Sequence, residues 1–167
     1  NAGLSTAPRV IAVVTGSRAD YNIYLPVLRR IDADPDLKMN LIVTGSHLAP
    51  EFGLTVTTIE DDGFAIADRI EVLLSSDTPE GIAKSMGLGT IAFAQYFARA
   101  RPDILLVSAD RFEMHSAVVA ALSRGAGNSP PPGLSIIASR PTWHPAASSC
   151  WAISNAMTPP NDSPPRW

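Results

Sequence analysis

Short apolar runs alternate with longer amphipathic stretches over the first 122 residues of the chain. Each short run is rich in aliphatic residues and is followed by glycine or serine, as expected of strands buried on both faces of a sheet. The predicted strands are 9–15, 37–44, a segment within 64–74, and 104–107. The stretches between them predict helices over 24–33, 78–100 and 112–122. This alternation predicts an α/β fold built from βαβ units around a parallel sheet.

Two of the predicted helices have recognisable first turns. Thr78 followed by Pro79 fits an N-cap residue and a proline at the first helical position. Pro26 fits best in the first turn of the earlier helix. Gly87 and Gly89 each cost about 1 kcal/mol of helix propensity, so they mark close packing or a break. The side chains of this helix that we expect in the core are Ile82, Met86, Phe93 and Phe97.

The composition changes near residue 122. Residues 123–167 carry 4 of the 29 charged residues, 9 of the 15 prolines and all three tryptophans. No helical or strand period is evident there, so we expect a disordered or loosely docked tail that does not close a core.

Charge and hydropathy exclude several classes of protein. The net charge of −3 argues against a surface that coats nucleic acid and suits a cytoplasmic enzyme or binding domain. No apolar run approaches the ~20 residues that span a membrane, and residues 1–8 lack the features of a secretory signal. The single cysteine, Cys150, excludes an internal disulfide and a cysteine-cluster metal site. The aspartates at 32, 34 and 36 and the acidic turn Glu60-Asp61-Asp62 lack the pattern of a calcium loop, so we expect no metal.

Three polar clusters follow predicted strands, and ligands of parallel sheets bind outside the carboxyl ends of the strands. In the first cluster, GSRAD at 16–20, Arg18 suits a phosphate or carboxylate. Alternatively, Asp20 is an N-cap with Arg18 as its surface partner. In the second, TGSH at 44–47, His47 either binds a ligand or shuttles a proton, or it is a solvated loop residue.

The third cluster, SADRFE at 108–113, follows the strand at 104–107. Asp110 and Glu113 are three residues apart and would share one face of a helix start. Two carboxylates in different environments can act as general acid and general base. The alternative is a capping box, with Asp110 as N-cap and Glu113 as its partner.

Taken together, four ordered motifs resemble one enzyme family. The motifs are VTGSRADY at 14–21, GSHLAPEFG at 45–53, LSSDT at 74–78 and ADRFEM at 109–114. They resemble the hydrolysing UDP-N-acetylglucosamine 2-epimerases, which make N-acetylmannosamine for sialic acid synthesis, and whose close relatives serve legionaminic-type sugars. The resemblance covers residues 9–122.

The resemblance implies a Rossmann-like parallel sheet flanked by helices, the N-terminal half of a two-lobe, glycosyltransferase-B-like fold. It also implies elimination of UDP followed by addition of water, with no cofactor and no metal. The substrate would be a UDP-sugar, without a nucleic-acid or membrane partner. The catalytic residues implied are Asp110, the stronger candidate, and Glu113. The substrate-binding residues implied are Arg18, Arg111, Asn22, Asp20 and His47, the first two as contacts to the diphosphate.

The sequence departs from the family pattern after residue 122. The His-Gly-Gly-Glu motif that the family carries there is missing, and Ala109 replaces the usual glycine. We therefore expect residues 1–8 to be a flexible or trimmed N-terminus, 9–122 an incomplete N-terminal lobe and 123–167 an aberrant, Pro- and Ser-rich tail. Such a truncated chain would lack catalysis by itself, and exposed sheet edges would favour self-association into a homo-oligomer. The alternative is a non-catalytic lobe that binds a nucleotide sugar or docks on another subunit. A flavodoxin-like or response-regulator-like domain fits less well, because its acidic set is missing.

Overall fold

The computed structural model describes residues 7–74, 76–108, 111–123, 135–139 and 150–153. Its strands are β1 (Arg9–Thr15), β2 (Leu37–Thr44), β3 (Ile66–Ile70), β4 (Ile104–Ser108), β5 (Ser135–Ser139) and β6 (Cys150–Ile153). Its α-helices are α1 (Arg18–Asp32), α2 (Val56–Asp61), α3 (Pro79–Ala100) and α4 (Phe112–Ser123). Two short 3-10 turns, Gly45–His47 and Pro50–Phe52, connect β2 to α2.

The strands form one sheet in the order β3-β2-β1-β4-β5-β6. The first five strands are parallel, and β6 runs antiparallel to β5. The predicted parallel α/β sheet is therefore confirmed. The chain proceeds outward from β1 through β2 to β3, and then returns to the other side of β1 at β4. The order thus reverses between β1 and β4, which is where ligands of open parallel sheets bind.

Alternate residues of the central strand face two separate cores. Ala12 and Val14 pack with Phe93 and Phe97 of α3 and with residues of α4 on one face. Ile11 and Val13 pack with α1 and α2 on the other, where the buried side chains include Tyr21, Tyr24, Leu28 and Ile59. Full burial of each large apolar side chain contributes roughly 1.5–3 kcal/mol. Because helices cover both faces of the sheet, the side chains on both sides of its strands are apolar. This explains the continuous apolar runs in the sequence.

Helix α1 begins six residues before the predicted start, so placing Pro26 in its first turn is wrong. Ser17 is the N-cap, and its side chain accepts a hydrogen bond from the Asp20 backbone N–H. Pro26 lies in the interior of the helix on its exposed side. There, water can satisfy the carbonyl of Asn22 that a proline leaves without its helical donor.

Helix α3 confirms the predicted start, because Thr78 accepts a hydrogen bond of 3.1 Å from the Gly81 N–H. Phe93 and Phe97 are buried as predicted, whereas Ile82 and Met86 are only half-buried. The helix is unbroken. A Cβ on Gly89 would lie 3.0 Å from the Ser116 Cβ on α4, whereas one on Gly87 would meet nothing within 4 Å. Close packing therefore explains Gly89 alone.

Two strands of the sheet come from the segment for which the composition predicts no regular structure. The run SIIAS forms β5, which pairs with β4 over its full length, and β6 pairs with β5. Ile136 of β5 is 6% exposed and belongs to the core shared with α3 and α4. The expectation that nothing after residue 122 adds to the core is thus wrong.

Among the described residues, no helix is long and apolar enough to cross a membrane.

Candidate functional site at the carboxyl edge of the sheet

The loops that follow β1, β2 and β4 meet at the carboxyl edge of the sheet. The Ser46 hydroxyl donates a hydrogen bond of 2.9 Å to the Gly16 carbonyl, which joins the loops after β2 and β1. A Cβ on Gly45 would lie 2.6 Å from Glu113 Oε1 at the start of α4. Residues from all three predicted polar clusters are therefore brought together beside the reversal of strand order.

Glu113 forms the centre of this edge and pairs with Arg111. The Glu113 side chain has no exposed surface. Its Oε1 accepts from Arg111 Nη2 at 2.9 Å and its Oε2 from Arg111 Nε at 3.2 Å. The Arg111 side chain is 37% exposed, so a fully buried carboxylate holds the head group of a partly exposed arginine.

Asp20 is a second buried carboxylate, in the first turn of α1. Its side chain is 4% exposed and accepts a hydrogen bond of 2.8 Å from the Ser17 hydroxyl. Burial raises the pKa of Asp20. The Ser17 hydrogen bond and the Arg111 cation oppose that rise, and the Glu113 charge adds to it. The N-cap is Ser17, so the alternative that made Asp20 the N-cap is wrong.

His47 is completely buried, so the alternative of a solvated loop histidine is wrong. Its Nε2 is hydrogen-bonded to Thr15 Oγ1 at 3.0 Å and its Nδ1 to Thr55 Oγ1 at 2.7 Å. Its ring meets that of Tyr21 edge-on. Burial lowers the pKa of His47 to about 4, so the ring is neutral at pH 7. Substrate binding by His47 stays a prediction, and both ring nitrogens already have protein partners.

Tyr24 and Ser108 also lie at this edge; Ser108 begins the third polar cluster, whereas Tyr24 belongs to none of the three. The Tyr24 hydroxyl is buried close to Ser108 and Asp20, and makes no well-formed hydrogen bond to any described residue. Ser108 is 2% exposed at the end of β4. The sequence signal that could have identified Tyr24 is its spacing of four residues from Asp20, which places both side chains on one face of a helix.

The remaining predicted residues differ in their placement. Arg18 and Asn22 are exposed on the first turns of α1. Asp110 lies outside the described residues, and its role as an acid/base carboxylate stays a prediction. In the part of the chain that the structure describes, no three His, Cys, Asp or Glu side chains are grouped to hold a metal ion.

A cavity of about 330 Å³ opens next to Gly45 at the same edge. It is lined by Gly45, Leu48, Ala49, Pro50, Glu51, Glu71, Val72 and Leu73. Another cavity of about 360 Å³ lies at the opposite end of the sheet, between the end of α1 and the start of β2. Neither cavity is lined by a predicted site residue, but the first includes Gly45, where a Cβ would lie 2.6 Å from Glu113 Oε1.

Comparison with known proteins gives a family match that overlaps this edge. Residues 29–126 match the family model described as UDP-N-acetylglucosamine 2-epimerase. A GDP/UDP-N,N'-diacetylbacillosamine 2-epimerase (hydrolyzing) of Campylobacter jejuni is 39% identical over 108 residues, which are 65% of this chain and 28% of that protein. The UDP-N,N'-diacetylbacillosamine 2-epimerase (hydrolyzing) of Legionella pneumophila is 38% identical over 114 residues, 68% of this chain and 30% of that one. The chain thus spans less than a third of the length of these relatives.

Solved structures share the fold at low sequence identity. A crystal structure of a UDP-N-acetylglucosamine 2-epimerase superposes with a TM-score of 0.62 at 15% identity, covering 78% of this chain and 32% of that one. The Neisseria meningitidis UDP-GlcNAc 2-epimerase bound to UDP-GlcNAc gives a TM-score of 0.57 at 14% identity, covering 69% and 29%. The matching region therefore makes up about a third of each of these larger solved chains.

Proposed function

This chain belongs to the UDP-N-acetylglucosamine 2-epimerase family, and from that premise we propose that it contributes one lobe of a hydrolysing enzyme. The reaction would convert UDP-N-acetylglucosamine, or a diacetamido relative, and water into UDP and the 2-epimeric free sugar. The hydrolysing type is supported by the names of the Campylobacter and Legionella relatives. We place the reaction in the cytoplasm, where UDP-sugars are made.

The observation that carries the proposal is the partly exposed Arg111, whose guanidinium is held by a buried carboxylate beside the reversal of strand order. Arginine recognises phosphate through its planar array of N–H donors, and a bidentate carboxylate partner fixes the orientation of that array. Arg18, exposed on the first turn of α1, supplies a second cation at the same edge. Two cations suit the diphosphate of a UDP-sugar.

The chemistry needs a base that removes the carbon 2 proton as UDP leaves carbon 1, an acid that returns a proton to the opposite face of carbon 2 as water adds to carbon 1, and cations that stabilise the departing UDP. We assign one of the two acid/base roles to Asp110, which follows the end of β4 by two residues. We assign the leaving diphosphate to Arg18 and Arg111. Asp20 and Asn22 would line the sugar side of the site, and His47 would support it from beneath.

Calorimetric titration of the chain with UDP and with UDP-N-acetylglucosamine tests the binding part of this proposal. We expect saturable binding that Arg111→Ala weakens at least about 10-fold, the equivalent of one charge-assisted contact. Arg69→Ala is the matched control, because Arg69 also pairs with a glutamate, Glu60, but on the exposed side of β3. Equal affinities of wild type and Arg111→Ala would remove Arg111 from the site.

A second candidate is a non-catalytic lobe that binds a nucleotide sugar or docks on another subunit. It is favoured by the two buried carboxylates at this edge, Asp20 and Glu113, which both already accept hydrogen bonds from protein groups. Measuring UDP release from UDP-N-acetylglucosamine separates the two candidates. Release that Asp110→Asn abolishes while UDP still binds supports the enzyme, whereas binding without release supports the second candidate.

A further inference from the structure

We propose that Glu113 is a positioning residue, which acts through Arg111 and depends on Gly45 for its place at the carboxyl edge. In this proposal, the buried carboxylate holds the guanidinium in the one orientation that meets an incoming phosphate. The nature of that anion rests on the proposed function, whereas the arrangement of the three residues does not.

The burial of Glu113 is the first argument. An ionised carboxylate without contact to water is costly unless it is paired and hydrogen-bonded. Glu113 has no exposed surface, and each of its oxygens accepts one N–H from Arg111. Its burial is therefore compensated by this guanidinium. Removing the Glu113 charge would take away the two-point contact that Arg111 makes with a buried acceptor.

The geometry of the pair is the second argument. Arg111 and Glu113 are two residues apart at the start of α4, and Glu113 uses the Nε and Nη2 edge of the guanidinium. A two-point contact fixes both the position and the plane of this group. A residue whose two oxygens are engaged in this way, with no exposed surface, is suited to hold another side chain rather than to exchange a proton with a sugar.

Gly45 supplies the third argument. Its φ of +59° lies in the left-handed region that favours glycine. A Cβ at this position would lie 2.6 Å from Glu113 Oε1 and 2.8 Å from the Gly16 carbonyl oxygen. The loop after β2 can therefore cover the carboxylate only because residue 45 has no side chain. This contact seals Glu113 from water and couples the loop to α4.

The first test uses NMR of the arginine Nε–H groups of the full chain, without any ligand. We expect the Arg111 Nε–H to exchange with water at least about 10-fold more slowly than that of exposed Arg18, because it is bonded to a buried acceptor. Glu113→Gln should abolish that protection, and Glu60→Gln, which removes an exposed partner of Arg69, should leave it unchanged. Exchange of Arg111 as fast as that of Arg18 in the wild type would overturn the proposal.

The second test compares Gly45→Ala with Gly53→Ala. Gly53 also has a positive φ, +82°, but a Cβ there would meet nothing within 4 Å. Both variants therefore carry backbone strain, and only Gly45→Ala displaces Glu113. We expect loss of Arg111 Nε–H protection in Gly45→Ala and retention in Gly53→Ala. Protection retained in a folded Gly45→Ala chain would overturn the role given to Gly45.

Titration with UDP separates this inference from the proposed function. If the wild type binds UDP, Glu113→Gln should weaken binding about 10-fold, approaching Arg111→Ala, and the double variant should add little more. Normal affinity in a folded Glu113→Gln chain would overturn the positioning role and leave the proposed function standing. If the wild type does not bind UDP, the binding proposal for this chain fails, and the Nε–H measurement still decides the positioning role.

Discussion

The imidazole Nε2 of His47 lies 3.0 Å from the Thr15 hydroxyl, and neither side chain has any exposed surface. Thr15 ends β1, and His47 lies in the turn that follows β2. The second ring nitrogen reaches Thr55 just before α2. One buried histidine thus joins the end of β1, the turn after β2 and the start of α2 beneath the candidate site, and so supports it.

This arrangement predicts a pH-dependent stability. Burial lowers the pKa of His47 to about 4 in the folded chain, against about 6.5 when it is exposed in the unfolded chain. Between these values the unfolded chain binds more protons, so the free energy of unfolding decreases as the pH falls from 6.5 to 4. The part of this decrease that is due to His47 is up to about 3 kcal/mol of unfolding free energy. The stabilising contribution of neutral His47 is fully present above pH 6.5.

Urea unfolding at a series of pH values checks this prediction. His47→Gln should reduce the decrease between pH 6.5 and 4, even though carboxylates also titrate there, because the comparison is with the wild type under identical conditions. His115→Gln, on the exposed side of α4, is the control and should keep the wild-type slope. A slope that is unchanged in His47→Gln would show that His47 does not resist protonation.

The two glycines in the middle of α3 predict opposite effects on stability. Gly87→Ala should stabilise the chain by about 1 kcal/mol, because alanine is the better helix former and nothing lies within 4 Å of the new Cβ. Gly89→Ala should destabilise it by roughly 1–3 kcal/mol, because the new Cβ would lie 3.0 Å from the Ser116 Cβ on α4. Thermal unfolding followed by circular dichroism measures both, and stabilisation by both substitutions would contradict the close contact between α3 and α4.

Two tyrosines on α1 form another matched pair. The Tyr21 hydroxyl donates a hydrogen bond of 2.6 Å to Asp62, so Tyr21→Phe should cost about 1–2 kcal/mol of unfolding free energy. The buried Tyr24 hydroxyl makes no well-formed hydrogen bond to a described residue, so Tyr24→Phe should be neutral or stabilising. Chemical denaturation of both variants provides the measurement. A larger loss for Tyr24→Phe than for Tyr21→Phe would reveal a partner for the Tyr24 hydroxyl.

Much of the sheet could be predicted because strands buried on both faces appear as continuous apolar runs. The predicted strands at 9–15 and 37–44 agree with β1 and β2, and 104–107 falls within β4. The start of α1 could not be placed in the same way, because its first turn is polar. The proline that suggested a helix start is tolerated in the interior only because that side of the helix faces solvent.

The contacts within the site were less predictable than its location. Three polar clusters at strand ends predicted the edge, because the carboxyl ends of parallel strands lie together. Whether His47 was solvated or buried depended on Thr15 and Thr55, which lie 32 and 8 residues away. Strand β5 was missed because SIIAS is short and lies between proline-rich segments, where local composition outweighed the period of the run.

The central claim is that the carboxyl edge around Arg111 and Glu113 binds the nucleotide part of a UDP-sugar. Backbone amide NMR spectra recorded during titration of the full chain with UDP test it most directly. Chemical-shift changes should concentrate at the backbone amides of residues 16–20, 45–47 and 111–113. The amides of the residues that line the cavity between α1 and β2 should not shift. An absence of shifts at saturating UDP, or shifts confined to that distant cavity, would contradict the claim.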